Sequence, residues 1–429
     1  MKKIQLTIFI LSLGFISMAQ ENLSLADAIN KALKNNYSIH ISKANQQVAE
    51  INNSWGAAGR YPYINLSASS NNANDFNDSE DFTRTQLIGD AKINWTIFDG
   101  FAVKINKQRF VELEEQSHQN TAIMVEGTIQ SVVLAYYDAL LQKKKLETFN
   151  EVMSLSEDRY QKVQIQKDLG NAVTYDLLQA QNAYLSDRSD YLLQEVTLKN
   201  ALRDLNYLMA EKDNPAYTLT EDFSAITINY KLTELQEQMT NNNKTLQNQY
   251  IHQRILENAV AAAKSNFSPT LAFQGGAQYS STHTRYDISA TTDYNATNIY
   301  GNFTLSFNLF SGGSKKRALQ IAKIDEEVGV IALEDMQHDL KNNLANLYEM
   351  FLVRKELLNV AQENLAAAKL NLQISQDKFN SGAINSFNYR DVQNIYLQAS
   401  QLQLEAIYNY IDTHTSLLRM TGAIVQEYE

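Results

Sequence analysis

Asn302-Phe303-Thr304-Leu305-Ser306-Phe307-Asn308-Leu309-Phe310-Ser311-Gly312-Gly313 is the stretch on which the fold turns. Phe303, Leu305, Phe307 and Leu309 alternate with polar residues, the two-residue period of a strand with one apolar and one polar face. The glycines end that period, and a proline-free run from Ser314 to Asn380 follows. The same passage occurs earlier. Ala91, Ile93, Trp95 and Ile97 alternate with Lys92, Asn94 and Thr96, and Phe98-Asp99-Gly100 leads into a second proline-free run, Phe101 to Lys167.

The repetition extends outward in both directions. Phe98, Gly100, Gly170, Gln181, Tyr184, Leu185 and Leu205 recur 212 residues later as Phe310, Gly312, Gly382, Gln393, Tyr396, Leu397 and Leu417. Upstream, Asn35, Asn36, Gln46, Glu50 and Pro62 recur 207 residues later as Asn242, Asn243, Gln253, Glu257 and Pro269. A register slip confined to the segment between Pro62 and Phe98 marks a loop of different length in the two copies. Two units this long are too few for an ordinary solenoid. They predict a tandem duplication, 20–231 and 232–429, forming one integrated subunit after a leader at 1–19.

Each half opens with a helical pattern. In the first it spans Ser24 to Ala58, with Leu25, Ala28, Ile29, Ala32 and Leu33 as its apolar stripe, and Pro62 ends it. Two strands of roughly ten residues follow in each half. In the first copy Ile64, Leu66 and Ala68 begin the alternation; in the second, Leu271 and Phe273. The polar segments Asn71–Asp81 and Ser280–Asn298 read as connections. Four amphipathic strands of this length fit a membrane barrel, with Ile93, Trp95, Phe303, Leu305 and Phe307 facing lipid or its borders. Trp95, Tyr279, Tyr300, Phe303, Phe307 and Phe310 are candidates for the interfacial aromatics. A soluble hairpin packed on a core is the competing reading of one hairpin alone.

The long runs carry a heptad seam. Leu340, Leu344, Leu347, Phe351, Arg354, Leu358, Ala361, Leu365, Ala368 and Leu372 alternate spacings of four and three, and Val132, Ala135, Ala139, Leu146, Phe149, Met153 and Tyr160 match them. A helix of that span is about 100 Å long. Both runs stop at glycine turns, Leu169-Gly170-Asn171 and Ser381-Gly382-Ala383, and return as shorter helices, about Val173–Ala210 and Ser386–Thr421. An entry helix and a returning helix together nearly equal one long helix, so two short helices stacked end to end can lie beside it. The fold class is therefore α+β and predominantly helical.

Composition narrows the function. Lys2 and Lys3, the apolar run Ile4–Ile16 and Ser17-Met18-Ala19 read as an export signal cleaved after Ala19. Its loss takes the formal charge from −11 to −13 by removing those two lysines, which argues against nucleic-acid binding. Without cysteine there are no disulfides and no thiolate metal sites. After the signal no apolar run reaches about 18 residues, so entry into a membrane requires a barrel. There is no HExxH, GxSxG or Walker sequence, and His40, His118, His252, His283, His338 and His414 lack ligand spacing. Neither a cofactor nor a catalytic or metal site is expected.

The doubled turn sequences Gly170-Asn171-Ala172-Val173-Thr174-Tyr175-Asp176 and Gly382-Ala383-Ile384-Asn385-Ser386-Phe387-Asn388, with the opening Leu23-Ser24-Leu25-Ala26-Asp27-Ala28, resemble the TolC-like outer-membrane efflux proteins over essentially the whole mature chain. The resemblance implies a homotrimer in the outer membrane. Each subunit would give four strands to a twelve-stranded β-barrel embedded in lipid and long helical hairpins to an α-barrel tunnel in the periplasm. It implies the passive exit duct of a tripartite efflux pump or a type I secretion system, not an enzyme. The turns Gly170, Asn171, Gly382 and Ala383 would dock a periplasmic adaptor, and an inner-membrane transporter would supply the energy.

In that family the constriction carboxylates stand six and nine residues after the second glycine turn. Here those positions are Asn388 and Asp391, and the first-half counterpart of Asn388 is Asp176. The family's arginine position holds Ile384 and a nearby tyrosine position holds Phe379. The expected gate is thus Asp391, Asn388, Asp176, Ile384 and Phe379, closed by helix packing without the arginine lock. The short tail after Gly422 implies a reduced belt around the tunnel. A periplasmic adaptor would need a small β-domain rich in Gly and Val, which is absent. An adhesive coiled coil would not explain the duplicated amphipathic strands.

Overall fold

A computed structural model describes residues 21–428 of the chain; the expected export signal at 1–19 lies outside them. The chain starts with a short strand β1 (Glu21–Leu23) and helices α1 (Leu25–Asn35) and α2 (Tyr37–Asn52). The single helix expected over Ser24–Ala58 is therefore two. Asn36 takes an extended backbone, φ −60° and ψ 127°, and its side chain accepts from the Ser38 amide at 2.9 Å, capping α2. Its counterpart Asn243 makes the same break between α5 (Leu232–Asn242) and α6 (Lys244–Ser265), accepting from the Leu246 amide at 2.9 Å. The repeated asparagine, noted in the sequence only as a duplicated position, is what marks both breaks.

The strands β2 (Tyr63–Asp75), β3 (Phe82–Phe98), β5 (Thr270–Tyr286) and β6 (Thr292–Ser306) form one antiparallel sheet in the order β2-β3-β5-β6. At 13, 17, 17 and 15 residues they are longer than the ten expected. Much of the polar sequence assigned to connections continues the ladder, because backbone pairing persists where the side chains no longer need lipid. Only 76–81 and 287–291 turn the hairpins. Their tips are joined: the Ile288 amide and Ser289 Oγ donate to Glu80 at 2.6 and 2.7 Å.

The helices α3 (Ala102–Asp168) and α7 (Ser314–Asn380) each run 67 residues, about 100 Å. They return through α4 (Thr174–Leu208) and α8 (Ser386–Met420). The helices α2 and α4 lie along α3, and α6 and α8 lie along α7, the end-to-end stacking that the lengths imply. The helix α3 also packs on α6 and α8, tying the two halves together. On α7 the seam is realised: Leu344, Phe351, Leu358, Ala361, Ala368 and Leu372 are buried. Arg354, which interrupts it, donates through Nη1 to the Asn409 carbonyl at 2.7 Å and to Asp412 at 2.9 Å, and its counterpart Gln142 accepts from Gln194 at 2.9 Å. Both polar interruptions clamp a long helix to its returning partner.

The main core lies midway along the helices, around Tyr136, Leu205, Met239, Leu344, Phe351 and Tyr410. Three short elements there escaped the sequence reading: the strands β1 and β4 (Tyr217–Leu219), three residues each, which pair in parallel, and a short helix α9 (Ile424–Tyr428), which buries Ile424. Tyr136 Oη donates to the Leu23 carbonyl at 2.8 Å and accepts from the Thr220 amide at 3.1 Å, so one buried phenol holds both strands to α3. Strands this short carry no period to read.

Glu126 on α3 is also buried there, with Oε1 lacking a hydrogen-bond partner. Burial pushes its carboxyl up to about 7, against the opposing pull of Lys244 and Arg419. Below the ordinary value of 4.5 the group is neutral in folded and unfolded chains alike. As pH rises from there through 7, the fold resists ionisation and loses stability. Glu126→Gln is expected to unfold at nearly the wild-type temperature at pH 5 and to be more stable at pH 8, by about 1–3 kcal/mol per subunit. Thermal unfolding of the purified protein across that pH range measures it; parallel wild-type and variant curves would contradict the assignment.

Candidate functional site

The sheet register sorts side chains by face. Opposed pairs share a face, and the pairs Leu66–Ala91–Ala277–Ile299, Ile64–Ile93–Gly275–Gly301, Trp95–Phe273–Phe303 and Leu271–Leu305 build one continuous apolar surface. The opposite face carries Ser67–Asp90–Gln278–Asn298 and Asn65–Lys92–Gly276–Tyr300. There Ser67 Oγ donates to Asp90 at 2.8 Å, and Lys92 lies 3.1 Å from the same carboxylate. Of the residues expected to face lipid, Trp95, Phe303 and Leu305 stand exposed on the apolar face, and Ile93 lies on it half-buried, flanking Gly275 together with Phe273. Phe273 and Phe303 pack with centroids 4.9 Å apart. Phe307 is exposed one residue beyond β6, which stops at Ser306, at the border of the sheet where the chain leads into α7. One expectation needs correcting. Tyr300 is on the polar face, its hydroxyl over Gly276, and is not an interfacial aromatic.

At the far end of the helices the glycine turns have the same construction. Gly170 and Gly382 have φ of +78° and +76°. The Asn171 amide donates to the Gln166 carbonyl at 2.8 Å, and the Ala383 amide to the Lys378 carbonyl at 2.8 Å, satisfying the last carbonyls of α3 and α7. A Cβ on either glycine would meet nothing within 4 Å, so only the left-handed backbone demands glycine. Asn171, Ala383, Leu169, Val173, Tyr175 and Phe387 are exposed around the turns.

The expected gate residues divide into two groups. Asp391 and Asn388 are exposed and three apart on α8, hence on one face. Asp176 is exposed in the first turn of α4, where it accepts from the Val173 amide at 3.4 Å. Phe379 is buried and Ile384 half-buried in a small core with Val152, Val163, Ala180, Leu372, Tyr389 and Tyr396. The Phe379 and Tyr389 rings stack with centroids 4.8 Å apart. Phe379 and Ile384 therefore hold the tip together from inside.

Sequence reasoning missed the polar ties of this tip. Lys162 Nζ, 4.7 Å from the Phe379 ring centroid, donates to the Phe379 and Asn380 carbonyls at 3.0 Å each, capping α7 from α3. Arg390 forms a two-pronged pair with the buried Asp187 at 2.5 and 2.7 Å, joining α8 to α4. Tyr396 Oη donates to Glu151 at 2.7 Å. These partners lie more than 200 residues apart in sequence, and no short-range pattern announces them. Among the described residues there is no grouping of metal-binding side chains, and no helix is long and apolar enough to cross a membrane.

The family described as Outer membrane efflux protein matches the chain over residues 28–211 and 235–423. No curated protein matches it. Among solved structures, a membrane protein from Pseudomonas aeruginosa is similar with a TM-score of 0.77 at 15% identity, covering 93% of both chains. The outer-membrane channel OprN gives 0.76 at 16% identity, covering 93% of this chain and 90% of its own. CusC, described as forming a transmembrane channel, gives 0.75 at 17% identity, covering 94% and 93%.

Proposed function

The chain belongs to the outer membrane efflux protein family, and from that premise we propose that three copies form a passive duct receiving its cargo through a periplasmic adaptor docked at the glycine turns. The protein is an outer-membrane exit duct of efflux, with its helical tunnel in the periplasm. It works as a trimer with pump partners. In the proposed reading an inner-membrane transporter provides the energy and the duct performs no chemistry. The two repeats, 20–231 and 232–429, act as one subunit.

One observation carries the reading: the isolated subunit is unfinished on both flanks. The sheet is open, with β2 and β6 as long unpaired edges, a liability that closure into a barrel removes. On the helices, Leu352, Val353, Leu357 and Val360 of α7 and Leu185, Leu192, Leu193 and Val196 of α4 are exposed. Apolar stripes of this kind call for neighbouring helices. A ring of subunits satisfies sheet and helices with a single operation. Closing it with the apolar face outward leaves the Asp90 and Lys92 face lining the lumen.

The proposed gate follows from the tip. Threefold assembly brings three copies of Asp391 towards the axis, where they repel one another and attract cations. Asp391→Ala is expected to weaken block by divalent and trivalent cations in planar-bilayer recordings while changing resting conductance little. Loosening the Phe379–Tyr389 stack should raise resting conductance more. Unaltered cation block in Asp391→Ala would place this carboxylate on the outer surface.

A further inference from the structure

The helices meet the sheet along one edge, where α2 ends, α3 begins, α6 ends and α7 begins. Packing of α2 on α3, α3 on α6 and α6 on α7 sets these four ends side by side, in the order of the strands β2-β3-β5-β6. The eight helical residues nearest the sheet and the links to the strands span 45–62, 99–109, 258–269 and 307–321. They hold eight basic residues and two acids, in a chain whose formal net charge is −11. Both acids are engaged. Glu50 accepts from Gln46 at 2.9 Å, and Asp99 accepts from the Val103 amide at 3.0 Å. The counterpart of Asp99 in the second half is Ser311, so Lys315, Lys316 and Arg317 open α7 without an acid beside them. Among the described residues none of the eight cations is paired with a carboxylate. Arg60, Lys104, Lys264, Lys316 and Arg317 are exposed. The same edge carries exposed aromatic rings, Tyr61, Phe101, Phe267, Phe307 and Phe310. It adjoins the apolar face of the sheet directly. The Trp95 indole, exposed on that face, donates to the Arg60 carbonyl at 3.0 Å, and the Arg60 guanidinium lies 4.8 Å from the Trp55 ring centroid. Gly59 lies against Val103, so Arg60 and Lys104 flank one corner.

We propose that this edge is a docking surface for anionic phospholipid of the periplasmic leaflet, whose headgroup phosphates the cations hold while the aromatic rings lie against the adjoining acyl chains. Charge and continuity select the occupant. Cations free of acids, set at the rim of a lipid-facing surface, stand at the depth of the headgroups and attract anionic ones, and aromatic rings favour the same depth. The chain as a whole is acidic, so the basic edge is a local feature and not a share of a general positive charge. The surface rests on the barrel standing in the outer membrane and on none of the adaptor or gate readings above.

The protein carries its own reporter. Its two tryptophans, Trp55 and Trp95, both lie at the Arg60 corner, so tryptophan fluorescence reads this surface alone. The trimer is reconstituted into phosphatidylcholine vesicles containing a minor fraction of lipid with brominated acyl chains, either phosphatidylglycerol or phosphatidylcholine. Bromine quenches the rings it reaches. Brominated phosphatidylglycerol should quench the wild type more strongly, with a relative association several-fold higher, and concentrated salt should remove the preference. Arg60→Gln combined with Lys104→Gln should bring the two lipids close to equality. Lys369→Gln combined with Lys378→Gln, which takes the same charge from the far end of α7, should leave the preference intact. Equal quenching by the two lipids in the wild type would overturn the proposal without recourse to any variant, as would a preference that persists undiminished in the Arg60 and Lys104 double variant. Cations directed into the lumen instead would show as equal quenching together with a shifted reversal potential of that variant in planar bilayers of phosphatidylcholine.

Discussion

Ile299→Arg should deplete assembled trimer from outer-membrane fractions. Ile299 sits at the middle of β6, is 80% exposed and lies on the apolar face opposite Ala277. It falls between Tyr279 and Phe273 of the adjoining strand, hence near the middle of the apolar band. An arginine at that depth costs about 2–4 kcal/mol per copy, and a trimer carries the substitution three times. Leu305, one residue from the end of β6, lies close to the border, where the cost falls to about 0–1 kcal/mol. Asn298→Arg, on the polar face, is the matched control. Trimer yield from fractionated membranes, read by its heat-modifiable migration, should fall strongly for Ile299→Arg and little for the other two. Equal yields for Ile299→Arg and Asn298→Arg would reverse the assignment of the faces.

Gly170→Val combined with Gly382→Val should abolish export while the trimer still assembles. Each valine is forced into the left-handed region at a cost of about 1–2 kcal/mol, yet open space around both positions leaves the packed helices intact. The strain instead redirects the turns that carry Leu169, Asn171 and Ala383. A substrate-retention assay in cells, with trimer yield measured in parallel, reads both halves of the expectation. Normal export with the trimer present would remove the turns from the docking surface.

How far the sequence reveals this protein depends on the range of each interaction. The long helices are legible because heptad spacing and missing prolines act locally: α7 begins at Ser314 and ends at Asn380 as the spacing indicates. The sheet is legible by face but not by length. Period-two alternation fades after Ala68 and before Ile299, while the ladder runs on through polar residues such as Asn71–Asp75. Asn36 broke a helix that its apolar stripe alone would have continued. At the tip the glycines were visible because positive φ is a local demand. The grips of Lys162 on α7, Arg390 on Asp187 and Arg159 on Ser386 were not. They depend on which coil lies beside which, a fact of tertiary packing. That Phe379 and Ile384 face inward is hidden for the same reason: which side of α7, or of the turn after it, is covered is decided by its neighbours.

Single-channel recording of the trimer, extracted from outer membranes into planar bilayers, decides whether the protein is a passive duct closed by its own helix tips. The channel should conduct without nucleotide or partner, with a small resting conductance that divalent cations reduce. Loosening the tip with Phe379→Ala should raise that conductance several-fold. Absence of any conductance from intact trimer, or a resting conductance already large and indifferent to Phe379→Ala, would contradict it.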